Sequence, residues 1–242
     1  MFNKTLIIMI PAFNEKNSIA NLIKNIPQIH SIKQEIIVIN DGSLDNTSLI
    51  AKNAGAKVIT HQRNLGLGKA IKTGLNYCLK HKADVIVILD ADGQYDPNKI
   101  ECLILPILNN KADLVIGNRF KYKTINETKF MKKLGNKILS IFISKILLNL
   151  NHTYDIQCSF RAFNRKLCKI LSILLFGKYN YAQEMFMLVK LFGFNVKEIP
   201  VDCYRRDNGR SRLIRNPLIH IFRILGISFR TYFKIKFILK NC

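Results

Sequence analysis

Two carboxylates one residue apart, Asp90 and Asp92, lie in the hexapeptide Leu89-Asp90-Ala91-Asp92-Gly93-Gln94, directly after the apolar run Val85-Ile86-Val87-Ile88. Oxygen ligands at the end of a buried strand suit a hard divalent cation that bridges to phosphate. Ions of the Mg2+ type are held by one or two carboxylates plus the substrate's phosphates rather than by a full protein cage. Asp and Gly are also ordinary turn residues. The hexapeptide alone therefore leaves two readings open, a cation site and an acidic turn.

The elements that position it follow from periodicity. Short apolar runs at Leu6–Ile10, Glu35–Ile39, Lys57–Thr60, Val85–Leu89 and Asp113–Ile116 alternate with helical patterns at Ser18–Asn25, Thr47–Ala54, Gly68–Lys80 and Pro97–Asn109. This alternation predicts an α/β fold with a mostly parallel central sheet flanked by helices. Asp45 and Asn46 before Thr47, and Asp96 before Pro97, mark helix starts. Ligands of such sheets bind outside the carboxyl ends of the strands. Pro11-Ala12-Phe13-Asn14-Glu15 follows the first strand, Asn40-Asp41-Gly42-Ser43 the second and Asp90-Ala91-Asp92 the fourth. Three acidic strand ends are thereby expected to converge on one crevice, which weighs against three unrelated turns.

The chain has 242 residues, room for one large domain with a small appendage. Its 38 Lys+Arg against 16 Asp+Glu give a net charge of +22, which calls for an anionic partner: nucleic acid, acidic lipid or phosphorylated substrate. Carboxylates at three strand ends would repel a polynucleotide, so a basic nucleic-acid-binding protein is the weaker reading. Cys78, Cys102, Cys158, Cys168, Cys203 and Cys242 form no C-x-x-C pair and read as reduced thiols; the five histidines are scattered and receive no catalytic role. No signal peptide is legible, and no uncharged apolar stretch reaches the ~18 residues that span a bilayer.

After about residue 120 the pattern changes. Lys121–Asn151 is basic and then apolar, with Lys133, Lys137, Ser140 and Ser144 at spacings of three and four that place them on one face. A core helix and an amphipathic interfacial helix both fit. Residues 214–242 interleave Ile219, Phe222, Leu225, Phe229 and Phe233 with Arg223, Arg230 and Lys234, a basic amphipathic segment expected at a membrane surface; a helical hairpin on the core is the alternative. The expected division is a catalytic domain over 1–213 and a membrane-interface segment over 214–242.

Taken in order, Pro11-x-Phe13-Asn14-Glu15, Asn40-Asp41-Gly42-Ser43-x-Asp45, Asn64-x-Gly66, Asp90-x-Asp92-x-Gln94 and Gly117-x-Arg119 resemble inverting family-2 glycosyltransferases of the GT-A, Rossmann-like fold. With Asp155-Ile156-Gln157-Cys158-Ser159-Phe160-Arg161 and Arg205-Arg206-Asp207-Asn208-Gly209-Arg210-Ser211-Arg212, the chain looks like the polyprenyl-phosphate (dolichyl-phosphate) hexosyltransferases over residues 5 to about 213. The resemblance implies a nucleotide-sugar donor, UDP-glucose or GDP-mannose, resting on Pro11, Phe13, Glu15, Ile39, Asp41, Asp90, Ala91 and Gln94. It implies Mg2+ or Mn2+ on Asp92 with Asp90 and Gln94, and a lipid-phosphate acceptor cradled by Arg119, Lys132 or Lys133, Arg206 and Arg212. Asp92, Arg119 and Arg206 would be the catalytic residues, with Glu184 either helping to orient the site or lying on a helix surface. Asn40 stands where many relatives have Asp, and Lys132-Lys133 where relatives often have Arg. The expected setting is peripheral, on the cytoplasmic face of a membrane. The competing enzyme reading, a family-2 transferase acting on a glycan hydroxyl, requires a carboxylate base beside the acceptor; no downstream Glu-Asp or Asp-Asp pair stands out.

Overall fold

The computed structural model describes residues 4–30, 32–120, 130–175, 181–204 and 217–240, with side chains in the last segment from 225 onward and in the third from 134 onward. Strands β1 (Thr5–Ala12), β2 (Lys33–Asn40), β3 (Lys57–Thr60) and β4 (Val85–Ile88) alternate with helices α1 (Ile19–Lys24), α2 (Thr47–Asn53) and α3 (Leu67–Lys80). A 3₁₀ turn at Pro97–Lys99 leads into α4 (Ile100–Leu108), followed by β5 (Leu114–Asn118), α5 (Phe130–Ile141), β6 (Arg161–Asn164), α6 (Arg165–Leu174), α7 (Tyr181–Leu191), β7 (Val196–Pro200) and α8 (Pro217–Lys240).

The seven strands form one sheet in the order β3-β2-β1-β4-β6-β5-β7. The first four are mutually parallel, β7 is parallel to β5, and β6 runs antiparallel between β4 and β5. The expected α/β architecture is present. The residues of β1 from Leu6 to Ile10 and all of β4 are almost inaccessible, which is why both read as continuous apolar runs: a parallel sheet covered on both faces has no solvent side to alternate with. Asp96 accepts from Asn98 N at 3.0 Å, so the Asp96-Pro97 start holds; the cap at α2 comes from Asp45, which accepts from Thr47 N at 3.0 Å, rather than from Asn46.

Proline is disfavoured in a central strand because it lacks an N–H. β1 is central, yet it contains Pro11. The ladder explains this. Met9 O, facing β4, accepts from Leu89 N, and Ala12 O, facing β2, accepts from Asp41 N. Peptide groups alternate sides, so the missing N–H of Pro11 faces β4, whose pairing with β1 already ends at Met9↔Ile88. Beyond that register β1 stays paired to β2 through Ala12↔Asn40 while β4 departs. The sheet opens there, between Phe13-Glu15 on one lip and Asp90-Asp92 on the other.

α5 continues through a π-wound stretch, Phe142–Leu147, which changes the residue phase along the helix. The face expected to gather Lys137, Ser140 and Ser144 is divided already within α5. Lys137 is exposed, whereas Ser140 and Ser144 are fully buried. Leu139, Ile143 and Leu147 also point inward, while Leu134, Ile138, Ile141 and Ile146 are exposed. α8 packs on α5 and α7 and repeats the inversion: Ser228, Thr231 and Ile235 are buried, and Phe229, Phe233 and Phe237 are 50%, 53% and 71% exposed. No helix among the described residues is long and apolar enough to cross a membrane.

The five described cysteines are free thiols; Cys102 is exposed and the others are buried. Burial pushes Cys158 and Cys168 up to about 12, and reactivity follows the thiolate. Iodoacetamide at pH 8 is therefore expected to modify Cys102 in the native protein and to reach Cys78, Cys158, Cys168 and Cys203 only after denaturation. Peptide mapping that finds Cys158 or Cys168 alkylated as fast as Cys102 contradicts this core.

Candidate active site

The crevice has two prepared walls. On the β1–β2 side, Asn14 takes φ +55 and its Oδ1 accepts from Leu44 N at 2.8 Å. Asn14 N donates to Ser43 Oγ at 2.9 Å, and Glu15 N to Thr47 Oγ1 at 2.8 Å. Asn40 serves structure, as expected: it is buried and its Oδ1 accepts from Ser43 N at 3.1 Å. Gly42 sits at φ +70, where a Cβ would lie 2.4 Å from the Arg63 carbonyl carbon, so only glycine lets the loop after β3 pass so close.

Asp41 is buried and heavily engaged. Its Oδ1 accepts from Leu65 N at 2.9 Å and faces His61 Nδ1 at 2.7 Å; its Oδ2 accepts from Gly66 N at 2.8 Å. His61 Nε2 lies 2.9 Å from Thr73 Oγ1 on α3. The carboxylate thus fastens the loop 61–66 and the start of α3 to the end of β2. His61 belongs to this wall although nothing in its sequence setting marks it. Ile39 is wholly buried beneath α3 near Gly74; its side chain supports the wall from behind rather than lining it. Pro11 and Ala91 are buried, and Phe13 and Glu15 are partly exposed.

On the β4 side, Asp90 and Asp92 are both partly exposed at the opening. Ser159, just before β6, donates its hydroxyl to Asp90 Oδ2. Asp92 Oδ1 accepts from Gln94 N at 3.1 Å. Gln94 Nε2 donates to Tyr204 O at 2.8 Å, which leaves the amide oxygen as the atom that can meet a cation. Tyr204 N donates to Gln94 O at 2.8 Å, and Tyr95 and Cys203 form an antiparallel bridge. The donor set fits a hard cation completed by phosphate oxygens: two carboxylates and an amide oxygen at one loop. Among the described residues no group of three or more His, Cys, Asp or Glu gathers for a metal, so any cation here leans on its substrate for ligands.

Arg119, directly after β5, is clamped by Asp155. Its Nε donates to Oδ2 and its NH2 to Oδ1, both at 2.8 Å, and its backbone N donates to Oδ2 at 3.0 Å. Burial works against the guanidinium's charge, but Tyr95 and Asp155 outweigh it and raise the pKa. Asp155 N in turn donates to Glu198 Oε1 on β7 at 2.7 Å. One edge of the guanidinium, Nε with NH2, is engaged in this bidentate grip, the geometry in which arginine binds carboxylates and phosphates. Glu184 lies in the interior, not on a helix surface, because α7 is buried from Tyr181 to Val189. Arg206, Arg212 and the Lys132 and Lys133 side chains lie outside the described residues.

A mostly parallel sheet that opens between β1 and β4 is an α/β fold of the GT-A type. Glucosyl-3-phosphoglycerate synthase from Mycobacterium tuberculosis, solved with Mn2+, uridine diphosphate and glucosyl-3-phosphoglycerate, superposes with a TM-score of 0.71 at 20% identity, covering 96% of this chain and 80% of that one. That likeness shows the fold. The family model Glycosyl transferase family 2 matches residues 7–171, and the chain belongs to that family. It is 36% identical over 231 residues to UDP-N-acetylglucosamine–dolichyl-phosphate N-acetylglucosaminyltransferase of Methanococcus voltae, covering 88% of this chain and 90% of the relative. It is 26% identical over 223 residues to polyprenol monophosphomannose synthase of Mycolicibacterium smegmatis, covering 87% and 81%.

Asp155 is inaccessible and holds the guanidinium of Arg119, which is 14% exposed. Removing one charge of such a pair strands the other and costs about 3–5 kcal/mol. Asp155→Asn is expected to lower stability by that amount in urea denaturation. A loss below about 1 kcal/mol, the range of exposed pairs, contradicts the buried geometry.

Proposed function

We propose that this enzyme transfers a sugar from a nucleotide sugar to a polyprenyl phosphate, with inversion at the anomeric carbon, and works at the cytoplasmic face of a membrane as a peripheral protein. The observation that carries the lipid acceptor is the inverted amphipathicity of α5 and α8: hydroxyls inward, Leu, Ile and Phe outward, on two helices packed together. Lys137, Lys145, Arg230, Lys234, Lys236 and Lys240 are exposed on the same two helices and the π-wound continuation of α5. An apolar stripe flanked by cations is what an anionic bilayer surface accepts. The relatives that act on dolichyl or polyprenyl phosphate support the same acceptor.

Each step has a residue. The donor's base and ribose rest on the Phe13–Glu15 and Asp41 wall, and its diphosphate lies toward Asp90 and Asp92. Asp92, with Asp90 and the Gln94 amide oxygen, would hold Mg2+ or Mn2+. When bound, that ion supplies Lewis-acid stabilisation to the departing nucleoside diphosphate. The acceptor is already a nucleophile, since a phosphate monoester's second pKa is near ~6. No side chain needs to remove a proton; the site must orient an anion. Arg119, preset by Asp155, brings its positive charge to that phosphate, and the motif residues Lys133, Arg206 and Arg212 complete the cradle. The donor is a UDP- or GDP-activated hexose or its N-acetyl derivative, and offering UDP-glucose, UDP-N-acetylglucosamine and GDP-mannose with a short-chain polyprenyl phosphate identifies it.

Two outcomes are expected. Asp92→Ala should lower transfer at least about a hundredfold with an unchanged circular-dichroism spectrum, as loss of a principal electrostatic contact does; metal-dependent turnover near the wild-type rate refutes the assignment. The double variant Phe233→Asp/Phe237→Asp should lose sedimentation with vesicles of phosphatidylglycerol and phosphatidylcholine while keeping its thermal midpoint, and wild-type binding should weaken with salt. Equal sedimentation of variant and wild type removes the membrane face from the proposal.

A further inference from the structure

Behind Asp90 lies a cluster to which neither the family motifs nor the steps above give a role. The loop leading into β6 alternates its engagements: Asp155 holds Arg119, and Ser159 donates to Asp90. Gln157 lies between them, and its Nε2 is buried with no hydrogen-bond partner among the described residues. Across from this loop stands Tyr181, the first residue of α7, 3% exposed, whose hydroxyl is likewise buried and unpartnered. These are unusual groups to leave unmade, because nearly all buried polar atoms in native proteins find a partner.

Their positions are fixed from below. Arg161 on β6 is wholly buried and donates to the carbonyls of Ile156 and Cys158 at 3.1 Å each and of Ala182 at 3.2 Å. Its guanidinium lies 5.8 Å from the centre of the Tyr181 ring. One cation therefore ties the loop carrying Gln157 to the first turn of α7 carrying Tyr181. Burial, reinforced by the nearby Asp90 carboxylate, raises the Tyr181 phenol; it stays a neutral hydroxyl, able to donate and accept.

We infer that the Tyr181 hydroxyl and the Gln157 amide nitrogen read hydroxyl groups of the donor's pyranose ring, making them specificity-determining contacts on the sugar rather than on the nucleotide. The ligand class follows from the chemistry. The loop of Gln157 reaches Asp90 through Ser159, and Tyr181 lies near the same carboxylate, so the β4 side offers one amide donor and one donor–acceptor hydroxyl behind Asp90. A polyhydroxylated ring supplies matching acceptors and donors. A site built to bond a substrate hydroxyl discriminates strongly against an analogue that presents it differently, because the site's own groups are then left unpaired. This rests on the nucleotide-sugar reading of the site.

The test compares Tyr181→Phe and Gln157→Leu with wild type by isothermal titration in the presence of Mg2+, using UDP and GDP alone and UDP-glucose, UDP-N-acetylglucosamine and GDP-mannose. Steady-state kcat and KM follow on the best donor. Both variants remove an unpartnered group, so their ligand-free thermal midpoints should be unchanged or higher. Wild type should bind its donor more tightly than the bare nucleotide. Each variant should keep nucleotide affinity, lose about tenfold of the sugar-dependent gain, as one hydrogen bond to a buried group is worth, and narrow the preference among the three donors. Variants that keep the full gain and the same preference overturn the inference, and point to a buried water as the partner. A wild type that binds no nucleotide or nucleotide sugar fails earlier, and takes the donor reading down with it.

Discussion

The structure depends on the parting of β1 from β4. Two parallel strands paired from Leu6↔Val85 to Met9↔Ile88 lose each other at the residue where β1 places a proline. A proline anywhere earlier would break a ladder bond in the middle of a buried sheet; at this register it removes an N–H that has nothing to bond. The opening follows from the main chain, and the acidic residues sit on its lips because they are the next residues along each strand. Doubly wound sheets bind ligands at such points, and here the switch has an identifiable residue.

Two guanidiniums, that of Arg161 wholly buried and that of Arg119 partly so, shape the far side of that opening. Arg119 meets a carboxylate, whereas Arg161 meets main-chain carbonyls and the Met185 sulfur. Burying a charge is costly unless its donors are satisfied. Both arginines organise the irregular stretch from Asp155 to Phe160, a region with no helix or strand of its own to hold it. The net charge of +22 therefore does not describe these two arginines, whose partners are structural, and the cations on α5 and α8 are one part of the exposed remainder.

The first half of the fold was legible in the sequence because β1, β4 and the second half of β2 are parallel, buried runs, and such runs announce themselves. β2, β1 and β4 lie side by side and parallel, as the alternation implied, so the segments that follow them, with Asp41, Glu15, Asp90 and Asp92, leave the sheet at the same end. β6 was hidden because its four residues include Arg161, which no hydrophobic pattern places at the centre of a core, and β7 because it is short, only partly buried and charged at Lys197 and Glu198. Ser140 and Ser144 misled in the other direction. Polar residues at helical spacing ordinarily mark the wet face, and here they mark the inner one, since the outer one carries isoleucine and leucine. His61, Ser159 and Tyr181 were silent because their importance lies in what they touch across the fold: Asp41, Asp90 and Arg161.

The Asp41 network carries one more implication. Its carboxylate is already committed to two main-chain amides and an imidazole, and that imidazole to a threonine on α3, with no guest in the crevice. Such a wall has surrendered its rotational freedom during folding, so a molecule settling against it meets a surface that no longer has to be frozen. The opposite lip is tied down too, Asp90 to Ser159 and Gln94 twice to Tyr204, so both sides of the cleft are cast before anything enters it.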